Sequence, residues 1–360
     1  MLNAEWQRLH PRLMIQFVRN GILYASEDHW VYRSDDRGKS WLRICRLECR
    51  WEGAAEHCKD AILRTEILRR MRRNVGIHNL VVLPSGTILA QYDGIYRFDG
   101  TKEKARFVFG FHEERILGPL KNGFVVDDST GNVYFGEYNN TRPYSVGIIR
   151  GSEDGRRWDV CFRFQEGAVK HIHSIVPDPY RKRIWICTGD KDRESGLFYT
   201  DDDFQSVHRF AGGSQKWRMI GMLPLADGLV WGSDAGQDTS ANSVNYLYYW
   251  DFRNQKMEQL ACIDKPAYYS MRIEGGGMVI GTSYEPGIKR PVEQSADLWY
   301  STDGLNWERS AAFSFKPSGR NNRTRYATVN MPLGDGTSPD VLVTPENVGK
   351  YDFQLLQWQI

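Results

Sequence analysis

Two histidines, His171 and His173, stand two positions apart in the segment HIHSIVPD, which reads as a β-strand. Side chains at positions i and i+2 of a strand point to the same side, so both imidazoles can reach one substrate atom or one ligand. Imidazole transfers protons near neutral pH, and its nitrogens also bind divalent metals. Asp190 follows the next apolar run, RIWICTG. The two histidines therefore indicate either proton transfer or binding of a divalent metal, with Asp190 or His78 as a further ligand.

A second pattern is the recurrence of apolar runs that end abruptly in an acid or an amide, as in GILYASED and LVWGSDAG. Asp and Asn also favour turns for backbone reasons, so some of these residues are turn formers only. The polar residues at the ends of these runs are Glu27, Asp93, Glu137, Asn139, Asp190, Asp234, Glu285 and Glu346. Repeated endings of this kind predict a series of similar strands whose ends carry the polar groups.

Composition limits the class of protein and its partners. The chain has 360 residues, 41% hydrophobic and 13% aromatic, which favours a β-rich core, and its net charge of +2 predicts neither a nucleic-acid nor a membrane partner. No signal peptide is recognised in MLNAEWQRLHPRLMIQF, and the six cysteines are scattered without paired spacing. We therefore expect reduced thiols and a cytoplasmic location, and the oligomeric state stays open.

One short phrase is repeated along the chain: residues 34–41 read SDDRGKSW, residues 152–158 read SEDGRRW and residues 301–307 read STDGLNW. Residues 200–207, TDDDFQSV, form a degenerate fourth copy. The Asp carboxylate can accept backbone N–H bonds across a tight hairpin, and Gly supplies a positive φ. This phrase resembles the Asp-box of sialidase-type β-propellers, the bacterial neuraminidase repeat.

The resemblance implies an all-β protein, a seven-bladed β-propeller of four-stranded antiparallel blades, with the repeated hairpins between the third and fourth strands of a blade. We expect residues 1–360 to form one domain. The last blade would take its four strands from RYATVNMP, DVLVTPE, KYDFQL and LQWQI.

Residues 52–74 interrupt the strand pattern. Apolar residues recur there at the spacing of a helix rather than in alternation. They are Ile62, Leu63, Ile67, Leu68 and Met71. We therefore expect a helical insertion over residues 52–74, between the first and second blades, and its five arginines indicate a basic face.

In the resembled fold, the ends of second strands and the starts of first strands share one face, opposite the repeated hairpins. That face would collect the acids named above with residues at the starts of first strands. The latter are His78, His171, His173, Arg218, Tyr268, Tyr269, Arg323 and Arg325. Histidine, tyrosine, arginine and carboxylates at one propeller mouth predict a site for an acidic carbohydrate, the partner that we expect.

Three site chemistries stay open. A sialidase-like hydrolase would use Tyr268 or Tyr269 with Glu285 as its nucleophile pair and Asp93 as its acid. A polysaccharide lyase would use histidine or tyrosine to move protons. Binding without turnover is the alternative. It is supported by the absence of the Arg-Ile-Pro signature of the sialidase family, since Arg-Leu-Met stands at residues 12–14.

The predicted site residues follow from these chemistries. The predicted catalytic residues are His171, His173, Tyr269, Glu285 and Asp93, and the predicted substrate-binding residues are His78, Asp190, Arg218, Asp234 and Arg325. No cofactor is expected, although a divalent metal at the histidine pair is an open alternative.

Overall fold

The computed structural model describes residues 5–48, 76–138, 140, 144–318, 325–338 and 340–359. The predicted helical insertion at residues 52–74 lies outside the described residues and stays a prediction. Within the described ranges, no helix is long and apolar enough to span a membrane.

The described residues form 29 β-strands and three short 3₁₀ helices. The first strands are β1 (Gln7–His10), β2 (Met14–Arg19), β3 (Ile22–Glu27), β4 (Trp30–Ser34), β5 (Leu42–Leu47), β6 (Asn79–Val82), β7 (Ile88–Gln91), β8 (Gly94–Phe98) and β9 (Lys104–Gly110). There follow β10 (Phe124–Val126), β11 (Val133–Gly136), β12 (Gly147–Gly151), β13 (Trp158–Arg163), β14 (His171–Asp178), β15 (Arg183–Gly189), β16 (Gly196–Thr200) and β17 (His208–Gly212).

The remaining strands are β18 (Met222–Pro224), β19 (Gly228–Gly232), β20 (Tyr246–Asp251), β21 (Lys256–Cys262), β22 (Ala267–Arg272), β23 (Met278–Thr282), β24 (Ser295–Ser301), β25 (Glu308–Ser314), β26 (Thr328–Asn330), β27 (Leu333–Gly334), β28 (Val341–Glu346) and β29 (Leu355–Trp358). The 3₁₀ helices are η1 (Lys121–Gly123), η2 (Gln215–Trp217) and η3 (Gly349–Tyr351).

Most strands pair with their neighbours in the sequence as antiparallel four-stranded meanders. The sheets β10–β13, β14–β17, β18–β21 and β22–β25 each have this order. Two further meanders, β2–β5 and β6–β9, belong to a nine-stranded sheet, because β5 pairs with β9 in parallel. We call each four-stranded set a blade.

The first strands of successive blades contact one another, β2 with β6, β6 with β10, and so on through β14, β18, β22 and β26. These strands therefore lie side by side at the inner edge of the blades, as in a propeller. Their residues are mostly buried, whereas the fourth strands β13 and β21 carry exposed side chains. The predicted all-β class and propeller architecture are confirmed, and the number of seven blades stays a prediction.

The last blade combines both ends of the chain, in the order β1-β29-β28-β26. The sequence pattern predicts the third strand over KYDFQL and the fourth over LQWQI, but the structure begins the first of these segments with η3, so β29 is the third strand and β1 is the fourth. β1 pairs with β29 in antiparallel register, so the fourth strand of this blade comes from the N-terminal segment.

The four repeated hairpins have the predicted geometry and connect the third and fourth strands of their blades. In the first, Asp36 accepts hydrogen bonds from the Ser34 hydroxyl at 2.8 Å and the Ser40 backbone at 2.9 Å. Trp41 then donates its indole N–H to the Gly38 carbonyl at 3.1 Å. In these four blades the repeated hairpins lie at one end, so the C-terminal ends of the second strands lie at the opposite end.

Candidate functional site

The candidate site lies on three consecutive blades, at the face opposite the repeated hairpins. His171 begins β14, Asp190 follows β15, and Asp234 follows β19 by two residues. Glu285 follows β23, and Tyr268 is the second residue of β22. We call these residues, with His173 and Arg218, the rim cluster.

The rim cluster begins with three side chains whose polar atoms converge. The Nε2 atoms of His171 and His173 are 3.0 Å apart. Asp190 Oδ1 lies 3.1 Å from the His171 nitrogen and 3.2 Å from the His173 nitrogen. The sequence pattern predicted that the two imidazoles face the same way, and the structure places Asp190 with them.

His173 is held from behind by the backbone. Its Nδ1 lies 3.1 Å from the Met219 carbonyl, which can only accept, so Nδ1 carries a proton. Gly189 leaves room for the ring, since a Cβ there would overlap His173 Cε1. The imidazole therefore has a fixed orientation.

Arg218 connects the histidines to the next blade. Its guanidinium lies 3.3 Å from Asp190 Oδ1, 3.2 Å from Asp234 Oδ2 and 3.0 Å from Asp238 Oδ2. It also donates to the Asp190 carbonyl at 3.2 Å. The side chain is 7% exposed, so its positive charge interacts with these three carboxylates rather than with solvent.

Tyr268 and Glu285 form a second pair on the third blade. The Tyr268 hydroxyl donates to Glu285 Oε1 at 2.5 Å, and the Gln237 backbone N–H donates to Oε2 at 2.8 Å. Gly236 makes room for this carboxylate, because a Cβ there would lie 2.5 Å from Oε2. The carboxylate is thus oriented to accept the phenol proton.

Burial sets the protonation of the cluster. It lowers the pKa of His173 to about 4, against the opposing effect of the hydrogen bond with Asp190. Burial also raises the pKa of Asp234 well above its usual range, although the Arg218 charge opposes this. Burial and the Glu285 charge raise the pKa of Tyr268 as well. At neutral pH, Tyr268 is therefore a phenol and His173 a neutral imidazole.

Other predicted residues lie elsewhere. Tyr269 has the Lys121 ammonium 5.3 Å from its ring centre. On blade β6–β9, His78 stacks on Tyr92 at 5.9 Å, and exposed Asp93 accepts from the Tyr96 hydroxyl at 2.7 Å. Arg325 is exposed before β26, while Asn139 and Arg323 lie outside the described residues.

Three of the acids at strand ends accept hydrogen bonds from their own blades. Glu137 accepts from the Gly147 backbone N–H at 2.7 Å, and Glu346 accepts from the Asn330 amide at 3.1 Å. Glu27 accepts from a tyrosine hydroxyl of its own blade at 3.2 Å. These side-chain contacts join neighbouring strands, and none of them includes a residue of the rim cluster.

The sequence pattern did not identify several neighbours of the cluster. Lys170 forms an ion pair with Asp190 Oδ2, and Tyr138 stacks on His171 with ring centres 4.1 Å apart. Asp238 is the third carboxylate on Arg218. Of these three residues, only Lys170 could have been inferred from the sequence, because its positive charge directly precedes His171 of the histidine pair.

A cavity of about 1010 Å³ opens at the other face of the propeller. Its lining includes Arg19, Asp178, Lys182, Asp202, Arg272 and Asp335, and it contains none of the rim-cluster residues. The cavity is therefore separate from the rim cluster, and charged groups of both signs line it.

No family model matches the chain, and no curated protein sequence matches it. Among solved structures, the GH74 xyloglucanase of Xanthomonas campestris has a TM-score of 0.60 at 15% identity, over 99% of this chain and 56% of that one. The present chain therefore spans little more than half of that enzyme.

Two further structures match over nearly their whole lengths. Oligogalacturonate lyase from Vibrio parahaemolyticus has a TM-score of 0.60 at 10% identity, covering 99% of this chain and 95% of that one. U3-55K has a TM-score of 0.58 at 8% identity, covering all of both chains. At such identities, the likeness establishes the propeller fold alone.

Proposed function

We propose that this protein cleaves glycosidic bonds of an acidic glycan at the rim cluster. The observation that carries the proposal is the 2.5 Å hydrogen bond from the Tyr268 hydroxyl to Glu285. A hydroxyl nucleophile needs an adjacent base, and this pair has that arrangement. The resemblance to sialidase-type propellers supports the same roles.

Tyr268 and Glu285 would act together. The phenol oxygen attacks the anomeric carbon while its proton passes to Glu285, and the bond from that carbon to the leaving oxygen breaks. Asp234, whose pKa burial raises, would protonate the leaving oxygen. Water then attacks the anomeric carbon and gives a proton to Asp234, the bond from that carbon to Tyr268 breaks, and Glu285 returns its proton to the phenol oxygen.

The comparisons support a glycan as the substrate class. Two of the three structures reported above are named for enzymes of carbohydrates, a xyloglucanase and an oligogalacturonate lyase. The second name supports an acidic sugar. U3-55K shares the fold without such a name, so the rim cluster, rather than the fold, carries the proposal.

The test is a panel of acidic and neutral glycans with analysis of the products. Tyr268→Phe and Glu285→Gln should each lower kcat/KM by about 100-fold or more, because the first removes the nucleophile and the second removes its base. Tyr180→Phe is the matched control, since Tyr180 is 49% exposed and accepts a hydrogen bond from Arg272 away from the cluster.

Three outcomes would contradict the proposal. An unsaturated sugar among the products would indicate elimination, in which the histidine pair moves the protons. Full activity of Tyr268→Phe would exclude the proposed nucleophile. Binding of a glycan without product would indicate a binding protein, and its loss in Arg272→Ala would locate that binding at the opposite cavity.

A further inference from the structure

Three electron-pair donors of the rim cluster form a nearly equilateral triangle. The edges are 3.0, 3.1 and 3.2 Å, between His171 Nε2, His173 Nε2 and Asp190 Oδ1. Donors about 2.1 Å from a metal, with angles between about 90° and about 110°, are separated by roughly 3.0–3.4 Å. The triangle has the dimensions of one face of a metal coordination sphere.

The tautomer of His173 favours a cation at this face. Because Nδ1 donates to the Met219 carbonyl, the neutral ring has a lone pair on Nε2. A backbone carbonyl behind a metal-binding histidine is the usual second partner, which fixes the ring and its tautomer. Lys170 and Arg218 hold Asp190 in a comparable way.

The charge of the surroundings points in the same direction. Three ionised carboxylates lie along the cluster, those of Asp190, Asp238 and Glu285, beside Asp234, which the proposed function uses in its protonated form. Among the described residues, Arg218 and Lys170 form ion pairs with them, and Arg218 is already bound to three of these four side chains. An acidic glycan would therefore meet excess negative charge unless another cation were bound.

We propose that His171, His173 and Asp190 bind one divalent metal cation, which in turn binds the acidic group of the glycan. The role of the cation rests on the proposed function, but its binding does not. Two imidazoles and one carboxylate suit first-row divalent metals, with Co²⁺ bound more tightly than Mn²⁺. The remaining coordination positions would be open to substrate.

Isothermal titration calorimetry of the chelator-treated full chain with Co²⁺ or Mn²⁺ alone tests the site. We expect one ion per chain and tighter binding of Co²⁺. His171→Ala and Asp190→Asn should weaken binding at least about tenfold, whereas His208→Ala, an exposed histidine outside the cluster, should not. Asp190→Asn keeps the side-chain shape, and its melting temperature checks folding.

The results distinguish the proposed metal site from the proposed cleavage of glycans. Absence of binding at millimolar Co²⁺, or equal binding by His171→Ala and the wild type, would overturn the metal site. If the metal-free protein cleaved glycans at the full rate, the cation's role would be wrong while the cleavage stood. One-to-one binding that is lost in Asp190→Asn supports the site even if no glycan is cleaved.

Discussion

Gly189 ends β15 beside His173, and its missing side chain is what allows the imidazole to lie against the strand. A Cβ there would overlap His173 Cε1 and lie 2.8 Å from Nε2. We predict that Gly189→Ala lowers the free energy of unfolding by about 1–3 kcal/mol, as overpacking in a buried site does. Urea unfolding monitored by tryptophan fluorescence measures this change.

Gly123→Ala is the matched control for that substitution. Its added Cβ would have Pro119 Cβ as its nearest neighbour at 3.4 Å, an ordinary contact. The free energy of unfolding should then change by less than about 1 kcal/mol. Equal effects of the two substitutions would show that the position of His173 does not depend on Gly189.

Individual residues differ in how far the sequence could predict them. Strand alternation predicts that His171 and His173 face one side, and their Nε2 atoms do converge, with a register shift of β14 between Ile172 and Ser174. The position of Asp190 follows from the end of the preceding apolar run. The partners of Arg218 could not be read, because Asp234 and Asp238 reach it through the folding of a loop. Strand periodicity says nothing about where such a loop brings its side chains.

At the scale of elements, the repeated hairpins depend on one carboxylate each. In the first, hydrogen bonds from the Ser40 side chain and backbone, and from Ser34, lower the pKa of Asp36 to about 2. In the unfolded chain this pKa is about 3.9, so the stabilisation is complete above that value and is lost as the pH falls through about 2.

We therefore predict that Ser40→Ala destabilises the protein at neutral pH and that the difference from wild type shrinks between about pH 5 and about pH 2. Urea unfolding of both proteins across that range measures the difference. Ser206→Ala should show the same trend, because Ser206 donates to Asp202 at 2.7 Å. A difference that is constant with pH would contradict the role of the carboxylate.

At the scale of the whole molecule, local sequence patterns predict the blades but not the strand pairing that closes the ring. The blades could be laid out from repeated hairpins and apolar runs, because each blade is a local meander. The pairing of β1 with β29 joins Gln7 to Gln357, a contact between the two ends of the chain. No local signal specifies such a pair, so the pattern predicts the fourth strand at LQWQI, whereas the structure uses that segment in the third strand and β1 as the fourth.

Trp6, just before β1, shows how this closure can be tested. Its ring centre lies 5.4 Å from that of Phe313 in β25 and 6.2 Å from that of Trp358 in β29, so it joins the closing blade to its neighbour. Because Trp6 is half-buried, Trp6→Ala should lower the free energy of unfolding by about 2 kcal/mol, less than the loss of a fully buried tryptophan.

Leu42→Ala is the control for the closing blade, because it also shortens a large apolar side chain but one that is 67% exposed. It should lower the free energy of unfolding by less than about 0.5 kcal/mol, as surface substitutions do. The urea midpoints of the two variants provide the comparison. Since the contacts of Trp6 join β25 to β29, an unchanged midpoint for Trp6→Ala would mean that the N-terminal segment does not stabilise the ring.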